Sequence, residues 1–151
     1  MLDKFVEYAV TFERAYESRD FSVLEPCFTQ DATYATHAPG LPDQRSEGRA
    51  AVLDHMAWMT EEFDRKFNSR QLLRVAGPEA IDDYVELHGT AVYTLATGER
   101  CHLALTEQAY FSDGKINRLV DRLSLGAAHE MQWFVETYPE RFPASLIGGI
   151  A

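Results

Sequence analysis

His88 and Glu107 carry the first sign of chemistry in this sequence. Each lies in a long β-like run, Tyr84 to Leu95 and Glu99 to Phe111, and the two runs join at Thr97-Gly98. A two-residue turn there sets Ala96 against Glu99. It brings His88 opposite Glu107, on one face with Thr90, Val92, Leu103 and Leu105. Opposed Cβ atoms in an antiparallel pair stand about 4.5–5.5 Å apart, close enough for a hydrogen bond between imidazole and carboxyl. Apolar surroundings raise a carboxyl pKa and an adjacent imidazolium lowers it. Such a pair exchanges a proton near neutral pH, which is what general acid–base catalysis needs. The same two residues on the outer face of a sheet make an ordinary salt bridge, and parity alone leaves both readings open.

The other ionisable residues are less suggestive. His37 falls in a loop at the expected rim of a pocket, where it would gate entry. His55 and His129 read as exposed helix residues, and His102 as facing away from the pocket. No pair shows His-x-His or His-Glu-x-x-His spacing, so no metal is expected. Nucleophile elbow, phosphate loop and dinucleotide fingerprint are all missing, so no cofactor is expected either. Cys27 and Cys101 are far apart and read as free thiols. With no signal peptide at Met1-Leu-Asp-Lys-Phe5, they point to a reduced, cytoplasmic setting.

These side chains need elements to hold them. Phe5, Ala9, Phe12 and Tyr16 recur at steps of three and four, which predicts a helix from about Asp3 to Ser18. Asp20 can cap a second, short helix through Phe28, made irregular by Pro26. Asp31 to Thr36 reads as a strand, and His37 to Gly48 as a loop punctuated by Pro and Gly. Arg49 to Phe63 is a helix with Val52, Met56, Met59 and Phe63 on its buried stripe. From Arg70 the texture is β. Gln71 to Ala76 is a short strand before a Gly77-Pro78 turn, then come the two long strands, and a hairpin at Asp113-Gly114 leads into Ile116 to Leu123. Strands joined by tight turns make an antiparallel meander. A final helix, about Ala127 to Tyr138, ends at Pro139, and its Met131, Phe134 and Val135 must cover something apolar.

At 151 residues the chain fits one domain, 1–151, with a core over 5–124 and the C-terminal helix over 127–138. Its 14 basic residues against 24 acidic ones give a net charge of −10, which a duplex or an anionic membrane surface would repel. Neither nucleic acid nor membrane is an expected partner. No run approaches the roughly 18 apolar residues that a membrane span requires.

Three local phrases carry a family resemblance. Phe28-Thr-Gln-Asp-Ala-Thr-Tyr34 resembles the first strand of the nuclear transport factor 2-like, or SnoaL-like, superfamily. Glu47-Gly-Arg-Ala-Ala-Val52 resembles its helix-opening signature, and Tyr110-Phe-Ser-Asp-Gly-Lys-Ile116 its last hairpin. The likeness runs over about residues 5 to 124. It implies an α+β fold in which a cone-shaped, curved antiparallel sheet wraps around N-terminal helices, with the C-terminal helix as an extra element. Relatives include ketosteroid isomerases, scytalone dehydratases, limonene-epoxide hydrolases and polyketide cyclases, which handle small apolar or cyclic substrates. Other relatives only bind ligands or partners.

The resemblance also nominates residues. Glu107 matches the oxyanion-stabilising acid of ketosteroid isomerases, but their tyrosine falls on Phe12 and their base near Thr36, so that mechanism is incomplete here. Asp121 matches an acid–base aspartate of epoxide hydrolases and several cyclases, whose Arg-x-Asp partner falls at His88-Gly-Thr90 without its carboxylate. A simple Asp113-Gly114 turn places Asp121 opposite Thr106, so a β-bulge is needed for both acids to face one pocket. Tyr16 and Glu17 resemble the Tyr-Asp pair of scytalone dehydratases, making Tyr16, Tyr34 and His88 a conceivable dehydration set. Tyr34, Trp58, Met59 and Phe63 would supply apolar walls together with Leu103 and Leu105, or could be plain core.

The expectation is a cofactor-free lyase, isomerase or cyclase-like enzyme that acts on a small hydrophobic molecule, cyclic or acyclic, through His88, Glu107 and Asp121. The alternatives are a non-catalytic module that binds a small apolar ligand in the same cup, and a dimeric interaction domain. A homodimer is compatible with all three. The C-terminal helix would then be either a lid over the pocket or part of the interface.

Overall fold

The computed structural model describes residues 1–148. Helix α1 (Leu2–Ser18) buries Phe5, Tyr8 and Ala15, while Ala9, Phe12 and Tyr16 of the expected stripe are only half-buried. Asp20 then caps the 3-10 segment Phe21–Cys27, its Oδ1 accepting from the Ser22 backbone N–H at 3.1 Å. The sheet strands are β1 (Phe28–His37), β2 (Gln44–Glu47), β3 (Ser69–Ile81), β4 (Tyr84–Thr94), β5 (Arg100–Ser112) and β6 (Lys115–Leu123). Helix α2 (Arg49–Glu62) is inserted between β2 and β3. Helix α3 (Leu125–Thr137) and a 3-10 segment, Ala144–Ile147, follow β6.

The six strands form one curved sheet in the order β2-β1-β6-β5-β4-β3. The architecture is the expected α+β cone, with one change of direction: β1 runs parallel to β6, so the sheet is mixed and not wholly antiparallel. These two strands are joined through the entire meander, so no hairpin dictates their relative direction. Strand β2 lies inside the span read as a loop. Its Gln44-Arg45-Ser46-Glu47 is an edge strand without apolar alternation, and pairing with β1 reveals it. Strand β3 continues past the expected turn, with breaks of register between Arg74 and Ala76 and between Ala76 and Glu79. Gly77 permits this passage. Its φ is +84°, and a Cβ there would lie 2.6 Å from the Glu86 carbonyl oxygen.

Two apolar clusters pack on the inner face of the sheet. The first joins α1, α2, β1 and β6 through Phe5, Tyr8, Phe28, Val52, Met56 and Leu119. The second gathers Phe63, Phe67, Tyr93, Phe134 and Phe142, with ring centroids 5.1 Å apart for Phe63–Phe67 and 5.5 Å for Phe67–Phe134. Helix α3 supplies much of the second cluster. Ser124 caps it by accepting from the Ala127 N–H at 3.0 Å, and its Ala127, Ala128, Met131, Phe134 and Val135 turn inward. The helix packs along β5 of its own sheet, closing one end of the inner face. Gln44 fastens the 3-10 segment that follows, its Nε2 donating to the Leu146 carbonyl at 2.8 Å. Among the described residues, no helix is long and apolar enough to cross a membrane.

Candidate functional site

A cavity of about 490 Å³ lies between the two clusters and draws its wall from both. Its mouth lies between α1 and β3. Val6, Val10 and Leu72 line it and yet are 49%, 50% and 52% exposed. Most of the wall is apolar, and Met59, Phe63, Leu103 and Leu105 contribute to it.

Glu107 and Asp121 face each other across β5 and β6 inside this wall. The hairpin pairs Ser112 with Lys115 and Phe111 with Ile116, but the next pair is Tyr110 with Arg118. Asn117 is therefore the extra residue of a bulge, and this slip of one position carries Asp121 from the outer face to the inner. Asp121 Oδ2 accepts a hydrogen bond from the Tyr34 hydroxyl at 2.5 Å. Its Oδ1 is buried with no amide or hydroxyl partner among the described residues, while the Glu107 carboxyl is within hydrogen-bonding reach.

Two carboxyls this close cannot both ionise, so one proton is held between them. Burial, followed by the neighbouring Asp121, drives the Glu107 pKa well above the carboxylate range. Burial also raises Asp121, but the Tyr34 and Glu107 hydrogen bonds pull it back. The proton therefore rests on Glu107, which donates to an ionised Asp121. Tyr8 stands nearby. Its hydroxyl is pushed well up, first by burial and then by the charges of Glu107 and Asp121, so it stays protonated and available as a donor. Tyr8 was legible as the third residue after Phe5 on the stripe of α1, although Ala9 represents that turn in the sequence reading.

Four nominated residues lie elsewhere. His88 is opposite Thr106, not Glu107, because Leu95 and Glu99 pair around a three-residue loop, Ala96 to Gly98. The extra loop residue reverses the parity of β4 against β5, so the outward face of β4 carries His88. It is 44% exposed there, 2.8 Å from the Thr106 hydroxyl and 3.4 Å from Glu86. His37 pairs with Asp43 at 2.8 Å and is not on the cavity wall, where Thr36, Ala38 and Leu41 form that rim. Trp58 stacks on His55, with centroids 5.8 Å apart, on a different side of α2 from Met59. His55 is half-buried rather than exposed, and meets the Tyr34 ring at 5.7 Å. Tyr16 packs against the guanidinium groups of Arg65 and Arg70, 4.3 Å and 4.2 Å from its ring centroid, outside the cavity wall.

A second polar group does line the cavity. Arg70 holds Glu13 with both terminal nitrogens, at 2.9 Å and 3.1 Å, and so ties β3 to α1 beside the mouth. Its Nε lies 3.4 Å from Asp64 Oδ2, which also accepts from the Tyr93 hydroxyl at 3.0 Å. Burial raises Asp64 to about 6 against the opposing pull of Arg70 and Tyr93. Nothing in the sequence spacing links Glu13, Asp64, Arg70 and Tyr93, because the fold brings them together from four elements. Among the described residues, no group of three or more His, Cys, Asp or Glu is placed to hold a metal ion.

A fold of this shape with this cavity is that of a known class. The model of the SnoaL-like domain family matches residues 9–119, and the chain belongs to that family. Similar solved structures include a protein from Jannaschia sp. CCS1 designated a SnoaL-like polyketide cyclase. It is 15% identical, with a TM-score of 0.62 over 84% of this chain and 90% of that one. A Bacillus subtilis protein designated an isomerase is 18% identical, with a TM-score of 0.63 over 87% and 94%. TerC, co-crystallised with polyporic acid, is 19% identical, with a TM-score of 0.62 over 84% and 96%. Identities this low define the fold alone. No curated protein sequence matches the chain.

Proposed function

We propose that this protein is an acid–base enzyme of lyase, isomerase or cyclase type, acting on a small hydrophobic molecule held in the cavity. One observation carries the reading: two buried carboxyls face each other, in unequal environments, inside a largely apolar wall. Groups whose surroundings push their protonation apart are how one site supplies both acid and base at neutral pH.

The chemistry follows from the hydrogen bonds. Glu107 takes a proton from an activated C–H of the substrate on one oxygen while its own proton passes to Asp121 Oδ1. The negative charge moves to the substrate as an enolate, and both carboxyls are then neutral. Tyr8, which lines the same cavity and keeps its proton, would donate to the enolate oxygen. Return of the proton to a different carbon gives isomerisation. Attack of the enolate carbon on a carbonyl of the same molecule, with the proton passing to that carbonyl oxygen, gives ring closure. Delivery of the proton to a departing hydroxyl gives elimination. Tyr34 steadies Asp121 in its ionised form before the transfer. Walls supplied by α3 and the 3-10 segment, Met131 and Leu146, keep water from that end of the site and strengthen these interactions. His88 has no part in this scheme.

Replacing Glu107 by Gln and Asp121 by Asn tests the proposal. Both variants should fold, since each amide keeps the size and shape of the carboxyl it replaces, and both should lose turnover at least a hundredfold. Ligand affinity that survives both changes, with no turnover in the unaltered protein, would establish the binding-module alternative instead.

A further inference from the structure

The proposed chemistry leaves one polar group of the cavity unused, and its position bears on what the ligand must look like. Leu87, the partner of Glu107 on β4, and Tyr93 share the inner face of that strand and are six residues apart. Along a strand this is about 20 Å, shortened across the concave side of a curved sheet. The cavity therefore has two polar ends separated by an apolar stretch that includes Ala91, Leu103 and Leu105.

At the far end, charge and hydrogen-bond capacity both favour one kind of ligand group. Arg70 sets a single positive charge against two carboxylates, Glu13 and Asp64. Each of its terminal nitrogens donates to Glu13, and its buried Nε lies 3.4 Å from Asp64 Oδ2 without a hydrogen bond among the described residues. Arg65 is likewise matched by Glu61, at 3.1 Å. Asp64 retains capacity, since a carboxylate offers about four lone-pair sites and the Tyr93 hydroxyl and its own backbone amide occupy only some of them. Glu13, Asp64 and Arg70 also border a smaller polar pocket of about 330 Å³, so they form a partition with a face on the cavity. An anionic ligand group would meet two carboxylates against a single guanidinium. A hydroxyl can donate to Asp64 without adding charge.

We infer that Asp64, held by Tyr93 and Arg70, is a ligand-binding subsite, and that the ligand is an uncharged apolar molecule bearing a phenolic or alcoholic hydroxyl at the end remote from Glu107 and Asp121. The inference rests on the cavity being the ligand site, and equilibrium binding tests it without reference to turnover. Naphthalene, 2-naphthol and 2-naphthoate share one apolar body and would be titrated calorimetrically into the full chain at pH 7.5. The proteins compared are the unaltered chain and its Asp64→Ala, Asp64→Asn, Tyr93→Phe and Glu107→Gln variants, with folding checked by circular dichroism.

The unaltered protein should bind 2-naphthol about tenfold or more tightly than naphthalene, as a hydrogen bond to a charged acceptor allows, and 2-naphthoate most weakly. That preference should collapse to about twofold in Asp64→Ala and shrink in Asp64→Asn, with naphthalene affinity unchanged in both. It should persist in Glu107→Gln. Tyr93→Phe frees Asp64 Oδ2 and should keep or increase it, which preserves the test if the alanine variant does not fold. A preference that survives both Asp64 variants, one lost only in Glu107→Gln, or 2-naphthoate binding as tightly as 2-naphthol through Arg74 at the mouth would each overturn the subsite. No binding of any probe would overturn the cavity reading along with it. Loss of the acid–base proposal alone, by unchanged turnover in the Glu107 and Asp121 variants, leaves these binding results standing.

Discussion

Replacing Tyr34 by Phe removes one hydroxyl from the most constrained hydrogen bond in the cavity wall. That hydroxyl donates to Asp121 Oδ2 at 2.5 Å, where, among the described residues, Glu107 is the other partner of Asp121. A hydrogen bond to a charged acceptor contributes about 1.5–3 kcal/mol and one to a neutral acceptor about 0.5–1.5. Tyr34→Phe should therefore cost about 1.5–3 kcal/mol in the unaltered background, or about 3–12 °C in Tm for a domain of this size. In an Asp121→Asn background the acceptor is neutral and the cost should drop by roughly half. The sign with pH follows. Tyr34 lowers the Asp121 pKa, so its contribution is complete while Asp121 is ionised and declines as pH falls through that pKa. Urea unfolding of the four proteins in the cycle, repeated at several pH values above the isoelectric point near 4.9, measures the coupling directly. An equal cost in both backgrounds, unchanged by pH, would refute an ionised Asp121 next to a protonated Glu107.

Three further outcomes can be checked in the same preparations. His88→Ala should leave stability within about 0.5 kcal/mol and turnover unaltered, since His88 is on the outer face; a large loss of turnover would return it to the site. Phe134→Ala should cost about 3–5 kcal/mol by urea unfolding, because that ring is 2% exposed and packed between Phe67 and Phe142. Burial raises the Cys101 thiol to about 12, whereas Cys27 is half-buried and less perturbed. A thiol reagent at pH 8 should thus modify Cys27 first and reach Cys101 on the timescale of unfolding.

The elements of this fold were readable because their patterns are local. Phe5 and Phe12 define one side of α1, and Asp113-Gly114 and Gly98 mark the turns between long strands. The site was readable only where a count of residues in a turn happened to be right. A loop one residue longer than the two-residue turn moved His88 from the cavity to the solvent side, and no side chain near Thr97 announces that difference. The opposite slip at Asn117 was inferable, because it is the condition for Glu107 and Asp121 to share a face. Tyr16 continues the apolar spacing of α1, yet the chain turns at Arg19, with φ +63°, and leaves that ring among arginines from α2's end and β3. The Glu13–Arg70–Asp64–Tyr93 group had no signature at all. Its members meet through tertiary packing, and each alone reads as a surface charge or a strand tyrosine.

The segments that close the cavity near Met131 and Leu146 have a consequence for how the chamber can be resized. The family match ends at residue 119, so Asp121, Met131, Leu146 and Ile147 all belong to the portion beyond it. The matched segment provides Glu107, Tyr34 and most of the apolar wall, while one end of the chamber is closed by a C-terminal extension anchored through Gln44. Replacing that extension should change the depth of the chamber while leaving the curved sheet intact.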